Sequence, residues 1–150
     1  MWKHRQKGAG PSVADDGGLR EADEAIHNGR AGWIPVPEML RRLFATKVLV
    51  SLADPPTMEG TSVLSWKPAT VTKQGSQFVI AFTNGARVSA FATKNPTYSH
   101  VLLVNMAWLT DALPKEHGIV FNVGSDNGFE WSAAGIEAFR ASNDTPFRKS

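Results

Sequence analysis

The sequence predicts a single α+β domain, with a mixed β-sheet of about five strands and short helices packed against it. Three observations carry this expectation. Apolar runs of strand character, such as KVLVSLA at 47–53 and GIVFNV at 118–123, are interspersed with segments of helical period, such as PEMLRRLFATK at 37–47. Some strand candidates are joined by a short turn and others through helical segments, a mixture that produces a mixed sheet. With 150 residues, 42% hydrophobic and 20% charged, the chain has the size and apolar content of one ordinary folded domain.

Taken in order, the first helix falls at EADEAIHNG, residues 21–29, where Asn28-Gly29 is expected to stop it. PEMLRRLFATK predicts a second helix. Pro37 suits a first helical turn, Glu38 complements the helix dipole, and Met39, Leu40, Leu43 and Phe44 share one face. KVLVSLA follows as a buried strand, and DPPTMEGTS reads as a loop because paired prolines interrupt a ladder. WKPATVTK and QFVIAFT, joined by Gln74-Gly75-Ser76, read as a hairpin. NGARVSAFA carries both periods: Val88 and Phe91 are spaced as on a helix, whereas Ser89 between apolar neighbours also fits a strand. A cap from Thr83 or Asn84 favours the helix. SHVLLV is a strand. NMAWLTDALP is a helix capped by Asn105, with Met106, Leu109 and Leu113 on one face and Pro114 ending it. GIVFNV is a strand, FEWS is extended, and Ser132 caps a last helix carrying Ile136 and Phe139.

Residues 1–20 are rich in glycine, charge and small side chains and are expected to form a flexible N-terminal arm. Such a segment buries too little apolar area to offset an ordering entropy of roughly 1–2 kcal/mol per residue. The folded domain is then expected at 21–141, with a second loose tail at 142–150. The chain contains no cysteine, which excludes disulfides, thiol nucleophiles and thiolate metal sites. Its formal net charge is +2. The densest basic groupings, Lys3-Arg5-Lys7, Arg41-Arg42 and Arg148-Lys149, are short, so nucleic acid is not an expected partner. RNA binding through the basic arm stands as a minor alternative. No apolar run approaches the roughly 20 residues that span a bilayer, and the opening residues lack an apolar h-region. A cytoplasmic location with no membrane partner is expected.

The order of elements, with several short motifs inside it, resembles the N-terminal domain of the enhanced serine sensitivity protein SseB. In that family an opening helix and strand precede a hairpin whose second strand runs into "FTS" and a short helix. A strand, a helix ending near a proline, and a buried strand leading into an "NPGS"-like loop follow. Here PEMLRRLFATKVLVSLA matches the opening, Phe82-Thr83-Asn84 the "FTS" element, and VLLVNMAWLTDALPKEHGIVFNVGSDNGFEWSAAGIEAF the rest. The resemblance covers roughly residues 20–140. Val123 stands where the family usually has proline, and Asn84 where it has serine, so the loop is not bound to the family's rigid geometry. Longer members carry a C-terminal domain beyond this region. The family has no established catalytic residues, so the resemblance transfers none.

The loop Asn122-Val123-Gly124-Ser125-Asp126-Asn127-Gly128 is the main candidate site. It has no Walker lysine and does not open directly into a helix, so phosphate cradling is disfavoured. Asn127-Gly128 reads as its tight turn, because both residues accept positive φ. Gly124-Ser125-Asp126 is not a G-x-S-x-G elbow, and Ser62 and Ser65 have no adjacent base. Asp126 and Glu130 are close enough for paired-carboxylate chemistry if they face one cleft, but also fit a solvated turn and an outward strand position. His4, His27, His100 and His117 show no paired ligand spacing, and His117 falls in the turn Lys115-Glu116-His117-Gly118. Trp33, Trp66, Trp108 and Trp131 read mostly as core. Trp131, beside the loop, also fits a half-exposed interface anchor.

The expected function is therefore a non-enzymatic protein-binding or regulatory domain, in its sharpest form an immunity-type protein that masks a partner such as a toxin. Its binding residues are expected among Thr83, Asn84, Asn122, Gly124, Ser125, Asp126 and Trp131, with no cofactor and no metal. The alternative is a small-molecule-binding or sensor domain, or a cryptic enzyme, with a pocket near residues 122–131.

Overall fold

The computed structural model describes residues 16–60 and 62–142. They form a single α+β domain around a six-stranded mixed sheet. The chain order is α1 (Asp16–Arg30), α2 (Val36–Phe44), β1 (Lys47–Leu52), β2 (Thr57–Glu59), β3 (Ser62–Ser65), β4 (Thr70–Lys73), β5 (Ser76–Phe82), α3 (Gly85–Lys94), a 3₁₀ turn (Pro96–Tyr98), β6 (His100–Asn105), α4 (Met106–Ala112), β7 (His117–Phe121), β8 (Phe129–Trp131) and α5 (Ala133–Ala141).

The main sheet runs β6-β1-β5-β7-β8, with β4 also pairing β5. One edge of β5 is shared: Phe82 and Ala81 face Leu49 and Val50 of β1, while Ser76 to Val79 face β4. The other edge pairs in parallel with β7, from Gln77↔His117 to Ala81↔Phe121. All other pairings in this sheet are antiparallel. The parallel pair exists because α3, β6 and α4 intervene between its strands and bring the chain back in the same direction.

Both sheet faces are covered, which explains the near-continuous apolar strands. On one face Val48, Val50, Val79, Ala81, Ile119 and Phe121 pack with Ile26, Leu43, Met106, Leu109 and Ile136 of the helices. On the other Leu49, Phe78, Ile80, Phe82 and Val120 pack with Val88, and with the half-buried Phe91 and Tyr98. The period-two alternation of strand side chains sorts neighbours such as Leu49 and Val50 into opposite layers.

Several expectations are corrected. Helix α1 begins at Asp16, so residues 16–20 belong to the folded domain, and Leu19 is buried. The rest of the expected arm, 1–15, and the tail from 143 onward lie outside the described residues. Asn28-Gly29 does not stop α1, which runs to Arg30. The stop is Gly32 at φ +81: its N–H bonds Gly29 O at 3.1 Å and Trp33 N–H bonds Asn28 O at 2.9 Å, the paired bonds of a Schellman ending. The segment 54–62 is not only loop, because β2 and β3 pair as a small separate hairpin. Asn105 precedes α4 but makes no side-chain cap bond, because the preceding chain runs as β6 up to it.

Other local readings hold. Asn84 caps α3, accepting from Ala86 N at 2.8 Å and Arg87 N at 3.2 Å, so the ambiguous segment is helical. Ser132 Oγ accepts from Gly135 N at 3.0 Å at the start of α5. Glu38 pairs with both Arg41 and Arg42 on α2.

Candidate functional site

Helix α1 lies across the end of the sheet where β1 begins and where β5 and β7 finish. Its first turns pass Lys47, to which a Cβ on Gly18 would come within 3.3 Å. Its middle meets the end of β5, where Thr83 Oγ1 donates to Asp23 Oδ1 at 2.6 Å. Its last turn reaches the loop after β7, where Arg30 Nη1 donates to Gly128 O at 2.9 Å. The candidate site is therefore built from α1, the β5–α3 junction and the 122–128 loop.

Asn122 organises the loop. It is fully buried and sits at φ +53, a left-handed conformation that asparagine accepts more readily than most residues. Its Oδ1 accepts from Thr83 N at 3.0 Å, and its Nδ2 donates to Thr83 Oγ1 at 2.9 Å and to Asn127 O at 3.0 Å. Its own N–H continues the parallel ladder to Ala81 O at 2.8 Å. The carbonyl of Asn122 accepts from Ser125 N at 3.0 Å, closing a four-residue turn with Gly124 at φ +81 in third position, as a type II turn requires. The left-handed residues are thus Asn122 and Gly124, not Asn127-Gly128 as expected from the sequence. Once Asn127 is needed to reach α1, the reversal falls earlier in the loop.

Asn127 is itself buried, and its Nδ2 donates to the backbone carbonyl of Asp23 at 3.2 Å and to Asp23 Oδ1 at 3.1 Å. Ser125 Oγ accepts from Asn127 N at 3.0 Å and from Arg87 Nη1 at 3.4 Å. Arg87 also stands 3.8 Å from Asp23 Oδ1. One carboxylate oxygen thus accepts from a hydroxyl and an amide and faces a guanidinium as an ion pair, from three segments of the chain. Asp23, Arg30, Arg87 and Asn127 are the residues that sequence reasoning missed. The one local signal was a polar stripe on α1: Asp23, His27 and Arg30 fall at i, i+4 and i+7, beside the apolar stripe of Ala22 and Ile26.

Two clefts flank the Arg30–Gly128 contact. One, of about 540 Å³, is lined by Asp23, Glu24, His27, Arg30, Ala31, Arg87, Asp126 and Asn127. The other, of about 420 Å³, is lined by Arg30, Lys73, Val120, Phe121, Asn122, Val123, Gly124, Gly128, Phe129 and Glu130. Asp126 and Glu130 therefore face different clefts. Glu130, exposed on β8, pairs with Lys73. Among the described residues no group of three His, Asp or Glu side chains is placed to hold a metal ion.

The expected binding residues separate accordingly. Asp126 is exposed at the first cleft, and Gly124 at the rim of the second. Thr83 and Asn122 are buried and bonded to each other; Asn84 caps α3; Ser125 braces the turn. Trp131 keeps its core reading and is corrected as a binding residue. It is 3% exposed, because its pairing with Ile119 in β8 turns the indole into the core, edge-on to Phe139 at 5.4 Å. Trp33 is corrected in the opposite sense. It is 70% exposed at the α1–α2 turn and stands edge-on to His27 at 5.4 Å. His117 ends the turn, its N–H bonding Pro114 O at 3.0 Å, and opens β7, with Nδ1 buried and without a hydrogen-bond partner among the described residues.

This arrangement defines a class first: a mixed-sheet α+β domain whose strand-end loop is fastened from inside by a helix laid across it. The chain belongs to the SseB protein N-terminal domain family, whose model matches residues 19–138. Comparison with curated proteins and with solved structures gave no significant match. Among the described residues, no helix is long and apolar enough to cross a membrane.

Proposed function

We propose that this domain is a non-enzymatic protein-binding or regulatory module that engages a partner across the α1–α2 turn and the outer rim of the 122–128 loop. The observation that carries the reading is Trp33. A large aromatic side chain stands 70% exposed on a tightly capped helix end, beside a cleft rimmed by Arg30, Arg87, Glu24 and Asp126. Tryptophan and arginine are the side chains that most often anchor protein interfaces. The loop's own hydroxyl and amide groups are spent on holding the fold, which favours a rigid recognition surface over a reacting centre. In its sharpest form the module is an immunity-type protein that masks a toxin encoded in a neighbouring reading frame. The test is affinity capture from native lysate with the wild-type chain and with Trp33→Ala. A stoichiometric partner held by the first and lost by the second supports the reading. A partner held equally by both, or none after crosslinking, overturns it.

A second reading, a small-molecule sensor, is favoured by the position of the first cleft. It lies beyond the carboxyl ends of the parallel strands β5 and β7, where open sheets with parallel strands commonly take ligands. It expects a metabolite that raises the melting temperature, and Arg87→Ala to abolish that rise.

A further inference from the structure

We infer that the outer edge of β6 is a homodimer interface, in which β6 pairs antiparallel with β6 of a second copy about a two-fold axis at Leu103. The backbone geometry fixes which groups are available. Strand β6 pairs with β1 from Lys47↔Asn105 to Leu52↔His100, and Met106 N donates to Thr46 O at 2.9 Å. The alternation of an antiparallel ladder then turns the backbone of His100, Leu102 and Val104 toward β1, and that of Val101, Leu103 and Asn105 outward. Among the described residues no strand pairs with this outer side.

The edge is long, regular and uncharged between Val101 and Asn105. It has none of the lysines, prolines or bulges that normally block edge-to-edge pairing. The opposite edge of the sheet differs in length and charge: β8 has three residues, and its Glu130 is exposed and paired with Lys73. Half-buried Val101 and Leu103, with Phe91 and Tyr98 beside them, form an apolar margin on one sheet face that a neighbouring strand would cover.

The occupant is a second copy because the strand is complementary to itself. Rotation about Leu103 sets Leu103 against Leu103 of the other copy, where the two exchange backbone hydrogen bonds. It sets each Asn105 N–H against a Val101 carbonyl. No like charges meet across the axis, and the interface closes on itself as an isologous contact should. A foreign strand would find no charge on β6 to select it. The inference does not depend on the Trp33 surface, which lies at the α1–α2 turn.

The chain has no cysteine, so one introduced thiol reports the geometry. Leu103→Cys is expected to form a disulfide-linked dimer rapidly under mild oxidation. Asn105→Cys is not, because its two copies are separated by four residue steps, roughly 13 Å of strand, outside disulfide reach. In sedimentation across a concentration series, wild type should show a monomer–dimer equilibrium. Leu103→Lys, its fold checked by circular dichroism, should weaken that equilibrium about tenfold or more through facing like charges. A wild-type chain monomeric throughout overturns the inference. So does a dimer that crosslinks equally well through both thiols, or an edge that pairs only with an added foreign peptide.

Discussion

Asn122 grips Thr83 at both its backbone and its side chain: Oδ1 accepts from Thr83 N at 3.0 Å while Nδ2 donates to Thr83 Oγ1 at 2.9 Å. This contact ties the end of β5 to the end of β7, and Thr83 passes it on to Asp23 of α1. Replacing Asn122 by alanine removes the acceptor of the buried Thr83 N–H and the donor to Asn127 O, leaves Thr83 Oγ1 only its bond to Asp23, and puts a residue without a hydrogen-bonding side chain at φ +53. The expected loss is about 2–4 kcal/mol. Urea denaturation should show a lower midpoint with an unchanged slope.

Val123 occupies the second position of the turn closed by Asn122 O and Ser125 N, and it is exposed. Proline suits that position of a type II turn, and no hydrogen bond from Val123 N–H is found among the described residues. Val123→Pro is therefore expected to stabilise the domain by about 0.4–1 kcal/mol, mainly by restricting the unfolded chain. Thermal melts of the two proteins check this. A lower melting temperature would mean either that the loop departs from type II geometry or that proline strains the left-handed Asn122 before it.

Two glycines should respond differently to alanine. A Cβ on Gly118 would lie 2.5 Å from Trp131 O and 2.9 Å from the Phe78 ring, and neither the β8 backbone nor a packed aromatic yields readily. Gly118→Ala is expected to cost about 3 kcal/mol. A Cβ on Gly29 would meet Met39 Sδ at 2.3 Å, Cγ at 2.9 Å and Cβ at 3.0 Å; Met39 is buried, and although its sulfur end is flexible its Cβ moves only with α2. Gly29→Ala should cost less, about 1–2 kcal/mol, because alanine's helix propensity offsets part of the overpacking. Equilibrium unfolding of both variants tests the ranking.

The Glu38 carboxyl is held below its ordinary value of 4.5, first by the hydrogen bond from Arg42; desolvation opposes this, and the charge and hydrogen bond of Arg41 add to the lowering. A carboxyl lowered in the folded state contributes fully above its unfolded value and loses that contribution as pH falls through the folded one. The effect is therefore confined to acid below about 4.5 and is small, because the pair is at the surface. NMR titration should place Glu38 below the ordinary range, and Arg42→Ala should move it upward.

Features set by local physics were legible in the sequence. Asn84 and Ser132 were readable as caps because a cap bond spans only a few residues. The hairpin at Gln74-Gly75 was readable because its turn chemistry sits in the turn itself. The 122–128 loop was legible as the place of interest, but not the direction its side chains face. Asp23 and Asn127 are 104 positions apart, and no local pattern announces their bond. Two tryptophans make the same point: Trp33, read as core, is exposed, and Trp131, named for binding, keeps only its core reading. Indole burial depends on what packs above it: α5 covers Trp131, whereas Trp33 lies on the helix–helix turn beyond the core.

The sequence by itself determined the α+β class, the family, most element identities and the location of the loop, because periodicity, capping and turn propensity act over a few residues. The tertiary structure alone decided that α1 crosses the strand ends and draws Asn122, Thr83 and Asn127 inward. It also decided that Trp33, Arg30 and Arg87 remain at the surface there and that β6 is an edge strand among the described residues. Those outcomes depend on which distant segments meet, and that is settled when the sheet closes over its two apolar layers and each buried polar group must find a partner.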